Sequence, residues 1–262
     1  MATPRKVMAV TAAVVAMLIA GCSSEGTPAN QGSQGDTSGT GTPAVSAPPT
    51  VVSMSFNPDG LLSGNAKPSF KAGEPGKVSV VAQGKLSAES GGATLPIAFQ
   101  NNTDAAVSHV NMTATASSGG KIIATGQSTG TDPSQLQPGE VGLTFVYFDT
   151  EAKISADVTY EFSAETSPAD TSSFNTASLK VTQANLSGGK IVGSATNTTG
   201  AELQGPYEVD AYCFKSGALD AVYSGYADQN DNVAADGRVS FTNDLYGKSC
   251  SSYLVGVNAY FD

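Results

Sequence analysis

No tryptophan occurs in this 262-residue chain, histidine occurs once, and cysteine three times. A single imidazole, His109, excludes multi-histidine metal centres and leaves any Ser-His-acid hydrolase only one possible base. No Cys-x-x-Cys pair is present, so the usual dithiol redox and cysteine-zinc motifs are missing too. Charge is scarce: 14% of residues are charged, with 13 Lys and Arg against 23 Asp and Glu. That acidic balance argues against nucleic acid and against a direct electrostatic hold on anionic lipid headgroups; acidity also serves plain solubility. Beyond the N-terminal region no long stretch keeps a helical period, which removes helical bundles from consideration. A surface short of charge must be rich in Ser, Thr, Gly and Asn, residues that favour strands and turns.

What is present begins at the N terminus. Arg5 and Lys6 precede an uncharged run from Val7 to Ala20, and small residues lead to Cys22. A basic start, a short apolar core and small residues make an export signal, too short for the ~20 apolar residues of a membrane span. The string Leu18-Ile19-Ala20-Gly21-Cys22 resembles the lipobox of bacterial lipoproteins. That resemblance implies a signal peptide at 1–21, cleavage before Cys22, and a diacylglycerol on its sulfur that anchors the protein outside the cytoplasm. The alternative is an ordinary signal peptide with a cysteine at its end. Loss of Arg5 and Lys6 leaves 11 basic against 23 acidic side chains, a formal net charge of −12. Cys213 and Cys250 then remain as an even pair in an oxidising compartment, where a disulfide is expected.

Residues 22–76 read as the anchored cysteine followed by a flexible linker. From Ser23 to Thr50 the linker has no aromatic residue, no Leu and no Ile, too little to offset the entropy of ordering. Within 51–76, Phe56, Leu61, Leu62 and Phe70 could pack on a domain, but turn residues interrupt them, and the segment is left open. Thereafter period-2 alternation dominates: Leu95, Ile97 and Phe99; Val110, Met112 and Ala114; then 141–148 and 157–162. The chain also repeats itself. Residues 100–127 and 196–226 both run from an Asn-Thr turn into a strand, a glycine turn and another strand, with Met112 matching Val209 and Gly120 matching Gly217. The expected architecture is all-β, two tandem immunoglobulin-like β-sandwiches at 77–165 and 176–262, joined by a linker at 166–175. The pattern of Asn102-Thr103, Gly120-Lys121-Ile122-Ile123 and Pro138-Gly139-Glu140, answered by Asn197-Thr198, Gly217 and Asp236-Gly237, resembles the FxLYD-type domains of bacterial envelope lipoproteins. That resemblance implies interaction or spacer modules and carries no catalytic residue.

Chemistry is thin. Gly126-Gln127-Ser128-Thr129-Gly130 matches G-x-S-x-G, but TDPSQLQPGE follows where a helix is needed, and His109 and Ser128 are expected to lie far apart. Asp228-Gln229-Asn230-Asp231-Asn232 opens like a calcium loop, yet Val233 replaces its glycine and Val239 its bidentate Glu. Sequons at Asn101, Asn111, Asn185 and Asn197 read as turn and strand usage. Seven of the nine tyrosines lie in the second domain. If Cys213 faces inward, Tyr212 and Phe214 face outward beside Glu208 and Asp210, suiting contacts to protein or glycan; packing at a domain junction is the alternative. Tyr207, Tyr212, Phe214 and Tyr226 are therefore the candidate binding residues. The expectation is a non-enzymatic, lipid-anchored interaction or scaffold protein whose partner is another envelope protein, with no cofactor. A binding protein for a small ligand, glycan or calcium is the second reading.

Overall fold

A computed structural model describes residues 53–262 apart from 90, 150–153, 156 and 173–174. The signal peptide, Cys22 and the linker to residue 50 lie outside the described residues. Sixteen strands follow one another with no helix among the described residues. Two short ones come first, β1 (Ser55–Phe56) and β2 (Ser63–Gly64). Next are β3 (Val78–Gln83), β4 (Ser87–Glu89), β5 (Gly92–Asn101), β6 (Val107–Ser118) and β7 (Lys121–Ser128). Then come β8 (Gln135–Leu136), β9 (Glu140–Phe148) and β10 (Thr159–Pro168). The last six are β11 (Thr176–Ser187), β12 (Lys190–Thr196), β13 (Leu203–Lys215), β14 (Ala218–Tyr226), β15 (Arg238–Asp244) and β16 (Tyr253–Phe261).

These strands form two separate curled sheets, each wrapped on its own core as a sandwich-like domain. The first runs β10-β6-β7-β9-β5-β3 and the second β14-β13-β16-β11-β12-β15. Matched by the internal repeat, β3, β5, β6, β7, β9 and β10 correspond to β11, β12, β13, β14, β15 and β16. The cyclic order is then the same, and only the unpaired seam differs. It lies between β10 and β3 in the first sheet and between β14 and β15 in the second. In that second seam Asn243 donates to the carbonyls of Val209 and Tyr223 (both 2.8 Å).

Local details repeat as well. Asn101 and Asn197, both fully buried, organise the same turn. Asn101 Nδ2 donates to the carbonyls of Ala105 and Leu136, while its Oδ1 accepts from the backbone N–H and the hydroxyl of Thr103. Asn197 does the same with Ala201, Val233 and Thr199. The structural match is thus Asn101 with Asn197, one residue off the Asn102 pairing read from sequence. The β6–β7 and β13–β14 hairpins both turn through two left-handed residues, Gly119 and Gly120 (φ 56 and 76) and Ser216 and Gly217 (φ 53 and 81). That backbone matches the twist of the flanking strands.

Each domain buries an apolar core, one around Leu95, Ile97, Phe99, Met112 and Phe148, the other around Leu179, Ile191, Val209, Phe241 and Val257. A third cluster lies between the sheets: Leu62, Ala98, Val141, Leu143, Tyr212, Phe214, Leu219 and Leu254. This explains why β5 and β16 are buried along nearly their whole length, although alternation at Leu95, Ile97 and Phe99 suggests one wet face for β5. The segment 53–76, left open by sequence, ties both domains. β1 pairs in parallel with β9, and β2 pairs with β16. Phe56, Leu61 and Phe70 pack on the third cluster, with the two phenyl rings edge to face at 5.4 Å. The described residues accordingly fall within one compact unit.

Candidate functional site

The disulfide expected from cysteine arithmetic is present: Cys213 on β13 is bonded to Cys250 in the β15–β16 connection, with Cα atoms 5.3 Å apart. For Tyr212 and Phe214 the alternative reading holds, packing at the domain junction and not an exposed contact face. Tyr212 and Phe214 do point away from the Cys213 side, but that side of β13 lies against the first domain, and they are 0% and 5% exposed. The apolar rings cover Leu143, Val141 and Leu254 instead of meeting solvent. Tyr207 is also fully buried, its hydroxyl donating to the carbonyls of Leu203 (3.2 Å) and Asp231 (2.7 Å). Of the four proposed contact residues only Tyr226, 63% exposed, reaches solvent, joined on this domain by Tyr246 at 72%.

His109 and Ser128, expected far apart, line one hollow of about 210 Å³ with Asn111, Thr129, Thr131 and Thr176. The antiparallel β6–β7 register, pairing Thr113 with Gln127, carries both to the same end of the hairpin. Their bonds are structural: Ser128 Oγ accepts the Met112 N–H (2.9 Å), and His109 Nδ1 meets Ser108 Oγ (2.9 Å). No carboxylate lines the hollow. In the Asp228–Asn232 loop the Asn232 side chain donates to Glu202 (2.9 Å). Among the described residues no group of three or more His, Cys, Asp or Glu is placed to hold a metal ion.

The most unusual chemistry lies in the junction, where sequence reading did not look. The loop between β7 and β8 pushes Asp132, at a cis Asp132–Pro133 bond, onto the second sheet. Its Oδ2 accepts the Tyr212 hydroxyl (2.8 Å) and its Oδ1 accepts Asn258 Nδ2 (2.8 Å). Asn258 also donates to the Thr131 carbonyl (3.1 Å) and accepts from Ser178 Oγ (2.6 Å), which takes the Ser134 N–H (2.8 Å). Gly256 makes room, since a Cβ there would overlap the Asp132 carboxyl group. Asp210, two residues from Tyr212 and on the same side of β13, stands opposite Gly256 in the β13–β16 register, the residue on which the Asp132 carboxyl group rests. Both aspartates are buried, at 1% and 3% exposure, and Asp210 Oδ1 finds no donor. Glu208 stands beside them, partly buried and facing Gly130.

Burial dominates the electrostatics here. It pushes the Asp132 carboxyl up to about 7 against the opposing Tyr212 bond, and lifts Asp210 well above the carboxylate range, with Asp132 adding repulsion. Glu208 is likewise raised to about 7 by burial and by the Asp210 charge. Tyr212 is held well above its ordinary range by burial and by Asp132. The sequence carries one clue to this site, the two acidic residues Glu208 and Asp210 alternating with Tyr212 on β13. No protein-family model and no curated protein sequence matches this chain.

Proposed function

We propose that the chain is a lipid-anchored, extracytoplasmic interaction or scaffold protein of the bacterial envelope, holding a compact two-domain body off the membrane. The observation that carries this reading is the Cys213–Cys250 disulfide. It consumes the cysteines of the folded part and leaves Cys22 alone behind its apolar run. Disulfides persist in oxidising compartments, and a diacyl chain gives stable anchoring. The resemblance of both domains to FxLYD-type modules supports an interaction role. With Tyr212 and Phe214 engaged in the junction, contact with another envelope protein falls to the exposed tyrosines Tyr226 and Tyr246.

The test is fractionation of cells carrying the wild-type chain or Cys22→Ala, with a photo-crosslinker placed at position 226 in each. Wild type should partition with membranes and Cys22→Ala should be released; equal partitioning overturns the anchor. A discrete crosslinked species from position 226, lost on adding Tyr246→Ala, supports the contact face. Its absence from the anchored protein removes that face.

A further inference from the structure

Two carboxyl groups meet at the centre of a buried interface, and one of their oxygens has no donor. A buried acceptor without a partner is costly, and more so when charged. Two adjacent buried carboxylates cannot both be ionised cheaply. One proton held between them resolves both problems: a protonated carboxyl group becomes the missing donor, and the pair carries a single negative charge. The remaining charge is already provided for, because the Tyr212 hydroxyl and the Asn258 amide both donate to Asp132.

We propose that Asp132 and Asp210 share one proton across the domain junction, making the contact between the β7–β8 loop and the second sheet a proton-dependent latch. The partners come from opposite domains, so closing the junction takes up the proton and opening it returns both groups to water. The titratable groups facing the pair are Glu208 and Tyr212 from β13 and Tyr226 from β14, with Tyr260 of β16 beside Tyr226. The first-domain loop contributes Asp132 itself. Glu208, itself raised to about 7 by burial, takes up a proton over the same range and adds to the slope, while Tyr212 and Tyr226 are both pushed up and stay neutral.

The sign follows from linkage. The closed junction raises the carboxyl pair above its solvent value, so closure is strongest in acid and weakens as pH rises from ~4 to about 7, the value to which Asp132 is pushed. One proton released per opening makes the opening equilibrium rise up to ~10-fold per pH unit in that window. The latch holds at mildly acidic pH and loosens on the alkaline side.

Amide hydrogen exchange reads this directly, because the Ser134 N–H donates to Ser178 Oγ and the Lys85 N–H to the Asp220 carbonyl, both across the junction. After correction for intrinsic exchange, their protection in the wild type should fall ~10-fold per pH unit between pH 5 and 7. With Glu208→Gln in the background of both chains, so that only the pair titrates, the Asp210→Asn side-chain amide donates permanently and protection should vary less than about threefold over the same range. A flat wild-type profile overturns the proposal, as does an Asp210→Asn profile as steep as wild type. Should the variant fail to fold, carboxyl-carbon NMR of the wild type decides. Expected is one proton retained by the Asp132–Asp210 pair at pH 6; titration of both near pH 4 overturns it.

Discussion

Asn101 and Asn197 show how one side chain can set a turn twice in the same protein. Each is fully buried and satisfies its neighbours with at least four hydrogen bonds, so truncation strands the buried carbonyls of Leu136 and Val233. Asn101→Ala and Asn197→Ala should each lower stability by about 2–4 kcal/mol, and by similar amounts, in urea unfolding. Unequal losses would show that the two turns are not energetically equivalent. The same burial means that neither sequon is open to modification in the folded state. Tyr212 teaches the complementary lesson: a side chain read from alternation as facing outward faces a second sheet. Period 2 reports which side of a strand a residue occupies; it is silent on what lies there.

At the level of elements, sequence reading succeeds where interactions are local and fails where they are not. The alternating runs became strands, the glycine turns became left-handed hairpin tips, and the paired cysteines became a disulfide. The strap over 53–76 was illegible because its partners are distant in sequence: Phe56 packs near Phe70, but β1 needs β9 and β2 needs β16. The carboxyl pair was hidden for the same reason, since Asp132 and Asp210 meet only once both sheets are assembled. The disulfide belongs to this scale too. It joins β13, the second domain's strand at the junction, to the connection leading into β16, across 37 residues. Replacing both Cys213 and Cys250 by Ala should cost about 3–4 kcal/mol, read as a lower urea midpoint. A loss below 1 kcal/mol would mean that residual structure already restrains this loop when unfolded.

Over the whole molecule, acidity and burial combine into a pH dependence opposite to that of a protein held by ion pairs. Glu140, at the start of β9, is buried and raised to about 7 by burial, against the Gln137 N–H bond that favours its charged form. Because folding raises this carboxyl group, its stabilising protonated form is present in acid and lost as pH climbs from ~4.5 toward 7. Glu140→Gln should therefore unfold at a higher urea concentration than wild type at pH 8, by on the order of 1–2 kcal/mol after solvent screening. At pH 4 the two should be alike; a variant less stable at both pH values would contradict this account. Mechanical consequences follow from the strap. Tension applied upstream of residue 53 enters through β1 and β2, each only two residues long, and not through the far end of either sandwich. Peeling them strips Phe56, Leu61 and Leu62 from the shared cluster before either domain's own core bears load. The direct bonds of Asp132 to Tyr212 and Asn258 and of Ser134 to Ser178 then take the load, so a pull on the leading segment reaches the junction before it reaches either domain's core.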